Sequence, residues 1–108
     1  MLEVLFGSRT AERVLMYLHV YESGFAAAMA RNFSISLSMV QNQLDKFEQG
    51  GILVSRKMGR TRIFEWNPRY PFLEALRSLL QRSLDYLPES IREQYYRGRS
   101  RPRRWGKK

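Results

Sequence analysis

The feature that most constrains this chain is an amphipathic helix that passes through Gly50-Gly51 directly into a basic β-hairpin. After Ser36, the residues Val40, Leu44 and Phe47 recur at i, i+4, i+7, which predicts one buried helical stripe reaching to about Gln49. The opposite face carries Leu37, Ser38, Gln41, Asn42 and Lys46, which are expected to meet solvent. Ser36 is placed to cap the first turn, and the two glycines supply the positive-φ stop that helix ends favour. Ile52 to Lys57 and Thr61 to Trp66 then read as strands, rich in β-branched and aromatic residues. Met58-Gly59-Arg60 reads as a three-residue loop between them. Phe64 and Trp66 alternate onto one face, predicted to be the core, and Arg56, Lys57, Arg60 and Arg62 gather at the tip.

The flanking sequence is helical. Ser8 can cap a helix in which Ala11, Val14, Leu15 and Leu18 form the core stripe. Met16, Tyr17, Val20 and Tyr21 make its other side apolar too, which predicts burial against a partner as well as the chain's own core. Ser23-Gly24 is expected to end that helix. A second short helix runs from Phe25 to Arg31, with Asn32-Phe33-Ser34 as the turn before the amphipathic helix. After a break at Asn67-Pro68, Pro71 opens a long helix reaching Leu87. Its apolar positions, among them Leu73, Leu76, Leu80 and Leu84, form a stripe wider than a small core requires. Pro88 starts a last short helix reaching about Tyr96. The fold class is therefore mainly α with a small β-hairpin (α+β), divided as 1–68 for the binding unit, 69–96 for the C-terminal helices and 97–108 for a basic tail.

Charge is concentrated in that tail. The formal net charge is +9, and Arg97, Arg99, Arg101, Arg103, Arg104, Lys107 and Lys108, with no acid among them, contribute seven of the nine. Such a composition predicts disorder and an anionic partner, nucleic acid first, although a solubilising appendage has the same signature. With 108 residues and no cysteine, the chain has room for one modest core and no thiolate metal site or disulfide. No apolar run approaches the ~20 residues of a membrane span. The first residues lack the pattern of a signal peptide, so a cytoplasmic location and no membrane contact are expected.

Catalysis has little material here. His19 is the one histidine, inside an apolar helix, and neither a P-loop nor GxGxxG occurs. No catalytic residue, metal ligand or cofactor is assigned, and the chain is not expected to be an enzyme. Groove binding has three supports: a helix with small residues and amides on its leading face, a basic hairpin behind it, and the basic tail. Gln41 and Asn42 can donate and accept together, matching the N6/N7 pair of adenine. In the tail, Trp105 can stack on a base. The surplus apolar residues Met16, Tyr17, Val20, Leu73, Leu76, Leu80 and Leu84 predict a homodimer interface.

From FGSRTAERVLMYL through Met29-Ala30, Ser34-Ile35-Ser36 and SLSMVQNQLDKFEQGGILVSRKMGRTRIFEWNP, the chain resembles the winged helix-turn-helix proteins of the ArsR-like group of transcriptional regulators. The resemblance covers about Phe6 to Pro68. It implies sequence-specific double-stranded DNA binding, with Ser36, Leu37, Ser38, Met39, Gln41 and Asn42 at base-reading positions. It also implies backbone contacts from the wing residues Arg56, Lys57, Arg60 and Arg62, with Lys46 beside them. Two departures stand out. Ser34 occupies a turn position where relatives often have Gly, which leaves Asn32 or Ser34 to adopt the strained conformation. The Cys and His clusters of metal-sensing members are absent, so no effector site carries over. The fold alone also admits a second reading, a protein-interaction or RNA-binding module with a non-specific basic tail.

Overall fold

A computed structural model describes residues 1–96; the expected disorder of the basic stretch 97–108 lies outside the described residues. The order is α1 (Glu3–Phe6), α2 (Arg9–Tyr21), β1 (Ser23–Gly24), α3 (Ala26–Phe33), α4 (Leu37–Gln49), β2 (Leu53–Met58), β3 (Thr61–Trp66), α5 (Leu73–Tyr86) and α6 (Glu89–Tyr95). Ser8 caps α2 as expected, its Oγ accepting the Ala11 N–H at 3.0 Å. Val14, Leu15 and Leu18 of α2 join Val40, Leu44 and Phe47 of α4 in one core, closed by Leu53, Phe64 and Trp66 of the sheet. Each fully buried leucine contributes roughly 1.5–3 kcal/mol relative to exposure. The indole N–H of Trp66 donates to the Leu18 carbonyl at 3.1 Å, so the hairpin is fastened to α2 by a buried hydrogen bond as well as by packing.

The hairpin departs from expectation in its loop and in its neighbour. Met58 pairs with Thr61, so the loop is the two residues Gly59-Arg60, with Gly59 at φ +64°. A third strand also completes the sheet. Ser23 and Gly24, expected only to stop a helix, pair antiparallel with Glu65 and Phe64 in the order β1-β3-β2. Glu22, at φ +72°, turns the chain so that these residues meet the open edge of β3. A two-residue strand has no periodicity of its own, and only the edge it completes defines it. The helix α1 is likewise invisible to periodicity, because four residues are too few to show a stripe.

The turn between α3 and α4 shows which residue takes the place of the missing glycine. Ser34 adopts the left-handed conformation (φ 57°, ψ 47°). Its N–H bonds to the Arg31 carbonyl at 3.3 Å and that of Ile35 to the Ala30 carbonyl at 3.1 Å, the paired bonds of a Schellman stop. Gly51 (φ +81°) ends α4 in the same way, with Gly51 and Ile52 bonding back to Glu48 and Phe47. Ser34→Gly is expected to stabilise the fold by up to about 1 kcal/mol, relief of a ~1–2 kcal/mol left-handed penalty less the entropy of a more flexible unfolded chain. A melting temperature raised by a few degrees, with α-helical circular dichroism unchanged, checks this.

Two residues of the expected dimer face, Met16 and Leu80, belong to the chain's own core. Met16 and Leu80 are 1% and 0% exposed inside the chain's own core, and Tyr17, Leu73, Leu76 and Leu84 pack half-buried against it. Val20 is half-buried as well. The second apolar side of α2 is partly covered from within the chain, because α5 folds back across α2 and α6 closes over Tyr21 and Phe33. Arg77 of α5 secures the first of these joints. Its guanidinium grips both Glu22 carboxylate oxygens (3.0 and 2.7 Å), donates to the His19 carbonyl and Nδ1, and lies 5.4 Å over the Trp66 ring. His19 is thereby a joint residue, its Nε2–H donating to Gln81 Oε1 at 2.8 Å.

Candidate nucleic-acid interface

The leading turn of α4 is built by its own first residues. Ser36 Oγ accepts the Met39 N–H at 3.2 Å and so satisfies one of the helix's orphan donors. Because Val40, Leu44 and Phe47 are held in the core, Ser38, Asn42, Asp45 and Gln49 point directly outward at 3.6 residues per turn. Leu37, Gln41 and Glu48 lean toward the hairpin, and Met39 and Lys46 toward the opposite flank. All six predicted base-reading residues, Ser36, Leu37, Ser38, Met39, Gln41 and Asn42, are exposed.

Between α4 and the hairpin lies a groove of about 560 Å³, where Gln41 and Asn42 of α4 face Arg60 and Arg62 of the hairpin. Two features of its lining had not been singled out in the sequence. Phe25, Ala26 and Ala27 form the end wall, and Asp45 places a carboxylate among the amides. Spacing along α4 was enough to put Asp45 beside Gln41 and Asn42, at i+4 and i+3. No local pattern brings Phe25 there.

The four hairpin cations do not act as one cluster. Strand alternation and the Lys57↔Arg62 register put Lys57 and Arg62 on the face toward α4 and Arg56 on the face away from it. Arg62 donates to Ser55 Oγ at 2.9 Å, and Ser55 in turn donates to Glu48 at 2.6 Å, so the cation is steered toward the groove. Arg56 is ion-paired with Glu65 at 2.9 Å, which neutralises it on the outer face. Arg60 stands exposed at the tip. Lys46 is not part of this group. It points to the other flank, donates to the Phe6 carbonyl at 3.3 Å and lies 5.1 Å over the Phe47 ring.

On the far side from the hairpin, α6 docks against α2 and α3. Phe33 meets the rings of Tyr95 and Tyr96 at 5.3 and 5.8 Å, with Arg13 5.5 Å over Phe33 and 5.7 Å over Tyr95. Burial, the largest influence on each, pushes the phenols of Tyr17 and Tyr96 above the usual tyrosine range, so both remain neutral within this aromatic cluster.

No family model matches the chain, and no curated protein matches it in sequence. Solved structures do match it in shape. An apo-form variant of ZitR from Lactococcus lactis aligns over 79% of this chain and 73% of its own, at 14% identity and a TM-score of 0.55. The Adhesin competence repressor AdcR from Streptococcus pyogenes aligns over 85% and 80%, at 17% identity and 0.54. The homodimeric winged helix-turn-helix DNA-binding domain of Mb0332 from Mycobacterium bovis, a possible ArsR-family transcriptional regulator, aligns over 73% and 72%, at 19% identity and 0.53.

This chain has the winged helix-turn-helix fold. In that fold α3 and α4 are the helix-turn-helix, and β2 and β3 form the wing. Among the described residues no group of three or more His, Cys, Asp or Glu is placed to hold a metal ion. No described helix is long and apolar enough to cross a membrane.

Proposed function

We propose that the chain is a sequence-specific double-stranded DNA-binding protein and a transcriptional regulator that acts as a homodimer. The observation that carries this reading is the groove in which two amides of the recognition helix face two arginines of the wing, about twenty residues further along the chain. Amides on the exposed helix face are suited to base edges in a major groove, and the wing arginines to the phosphates beside it. Asp45 makes the middle of the groove unfavourable for phosphate and able to accept a hydrogen bond from a cytosine amino group. The winged helix-turn-helix of Mb0332, described as DNA-binding and homodimeric, supports the same assignment. With Met16 and Leu80 committed to the core, the homodimer contact falls to the outer stripe of α5. There Phe72 and Tyr86 are 65% and 74% exposed, with Leu79 between them and Val4 and Leu5 of α1 also bare. A two-fold dimer of this kind holds its recognition helices about 34 Å apart, one duplex turn.

Arg60 gives the direct test of the wing's role. Arg60→Ala is expected to weaken binding to every duplex alike and to reduce the slope of log affinity against log salt by about 0.9, the loss of one phosphate contact. Fluorescence anisotropy titrations at several salt concentrations read this out. Arg56→Ala, already neutralised by Glu65, is expected to leave the slope nearly unchanged. Absence of saturable binding to any duplex, in a genomic selection with the purified protein, would sink the reading and favour a protein partner.

A further inference from the structure

Two hollows of the surface meet at one side chain of α4. Leu37 lines the groove between α4 and the hairpin, with Arg60 and Arg62 among its walls. It also lines a more open hollow on the other side, walled by Ala30, Arg31, Ser34 and Ile35 of α3 and the turn that follows it. Arg31, in the last turn of α3, is exposed there. Leu37 therefore lies between cations of the wing on one side and a cation of α3 on the other. It is 44% exposed and does not pack against the core cluster, so neither its burial nor its neighbours account for an aliphatic side chain at this position.

The rest of the leading face of α4 narrows what can lie against Leu37. From Leu37 to Asp45 the helix reads LSMVQNQLD and carries no cation. Lys46, which follows, is turned to the other flank, where it donates to the Phe6 carbonyl at 3.3 Å. Guanine is read most often by an arginine or lysine at O6 and N7, and none projects from this face of α4. Gln41 and Asn42 can donate and accept together, which suits the N6/N7 pair of adenine. A leucine offers no hydrogen bond at all. Set against a G·C pair it strips water from N7, O6 and N4 and replaces none of those bonds, which is a net loss. The one apolar group that any base shows in the major groove is the 5-methyl of thymine.

We propose that Leu37 is a specificity-determining residue that selects the 5-methyl group of thymine, and that Leu37, Gln41 and Asn42 together read A·T pairs. The inference rests on the DNA-binding reading and deepens it by naming what the face reads. The two phosphate rows edge a major groove ~12 Å wide. With Arg60 and Arg62 toward one row and Arg31 toward the other, the side chain between them faces the base edges. Leu37 and Gln41 stand at i and i+4, on one side of the helix. One helical turn rises ~5.4 Å against ~3.4 Å per base pair, so the thymine met by Leu37 lies about one or two pairs from the adenine met by Gln41.

The test starts from duplexes that the full chain selects out of a random-sequence pool. Each thymine of the preferred site is then replaced in turn by deoxyuridine, which keeps every hydrogen-bonding group and removes only the methyl. At one thymine in each footprint of α4, affinity is expected to fall roughly three- to fivefold, the worth of one buried methyl. Leu37→Ala is expected to bind the thymine and uracil duplexes equally. Leu37→Met, which keeps the apolar reach, is expected to retain the difference. Both variants should keep the parent's circular dichroism, because Leu37 stands outside the core. A preferred site whose thymines all tolerate uracil would overturn the proposal. So would a uracil effect that persists in Leu37→Ala, which would pass the reading to Met39, 48% exposed on the flank away from the wing. Failure of the parent protein to bind any duplex would instead remove the DNA-binding reading on which the assignment rests.

Discussion

Replacing Leu80 with alanine is expected to destabilise the fold by about 2–5 kcal/mol, the range for emptying a buried leucine site whose walls relax only in part. A domain of this size has roughly 5–15 kcal/mol in total, so a melting temperature lowered by about 10 °C or more is the expected reading. Leu80 has no exposed surface, and it joins the buried residues of α2 and α4 in a single core. The adjacent position is the control. Leu79 lies on the outer stripe of α5, and Leu79→Ala is expected to change protomer stability by no more than about 0.5 kcal/mol. If Leu80 were an interface residue instead, its effect would depend on protein concentration, because association stabilises by mass action. Thermal melts of both variants over a hundredfold concentration range decide the matter. Equal losses at the two positions would contradict the packing of α5 across α2.

The second large effect concerns specificity. Asn42→Ala and Gln41→Ala are each expected to reduce discrimination at one base position by about 1–3 kcal/mol, with affinity for unrelated duplexes almost unchanged. Asn42 points straight out from α4, and Gln41 leans into the groove beside Arg62, so on the proposed DNA-binding reading the two amides should read neighbouring base pairs. Selection of duplexes by the parent protein, followed by competition titrations on single-base variants of the preferred site, measures this. Uniform weakening across all sequences would mean that the amides contact backbone. In that case specificity would have to come from duplex shape, or from Asp45 and Met39 at the edges of the helix face.

Helix α4 was legible in sequence because its evidence is local. Ser36 as cap, the Val40–Leu44–Phe47 stripe and the paired glycines lie within sixteen residues, and each follows from helical geometry alone. The inward pair Phe64 and Trp66 was legible by the same logic of alternation. The hairpin cations were legible only as a group. Whether Arg56 or Arg62 faces the groove turns on strand register and on Glu65, and one residue of slip would exchange the two faces. Lys46 was assigned to the wrong neighbour because its partner, the Phe6 carbonyl, belongs to a four-residue helix with no readable pattern.

Two residues of the expected dimer face, Met16 and Leu80, proved to belong to the chain's own core for a related reason. An apolar stripe reports that something covers it and does not report what. Met16 and Leu80 are 64 residues apart in sequence, and nothing local to either tells a leucine buried in its own protomer from one buried against a second copy.

The sequence by itself determined the order of the longer helices and the hairpin, the inward faces of α2 and α4, and the concentration of positive charge after Tyr96. These come from periodicity, capping and composition, which act over a few residues. The tertiary structure decided which apolar faces the chain covers for itself, which wing arginines reach the groove, and where α6 docks. Those depend on contacts between residues distant in sequence, above all the return of α5 and α6 across α2 and α3. A single sequence carries no measure of such distances until the chain has folded.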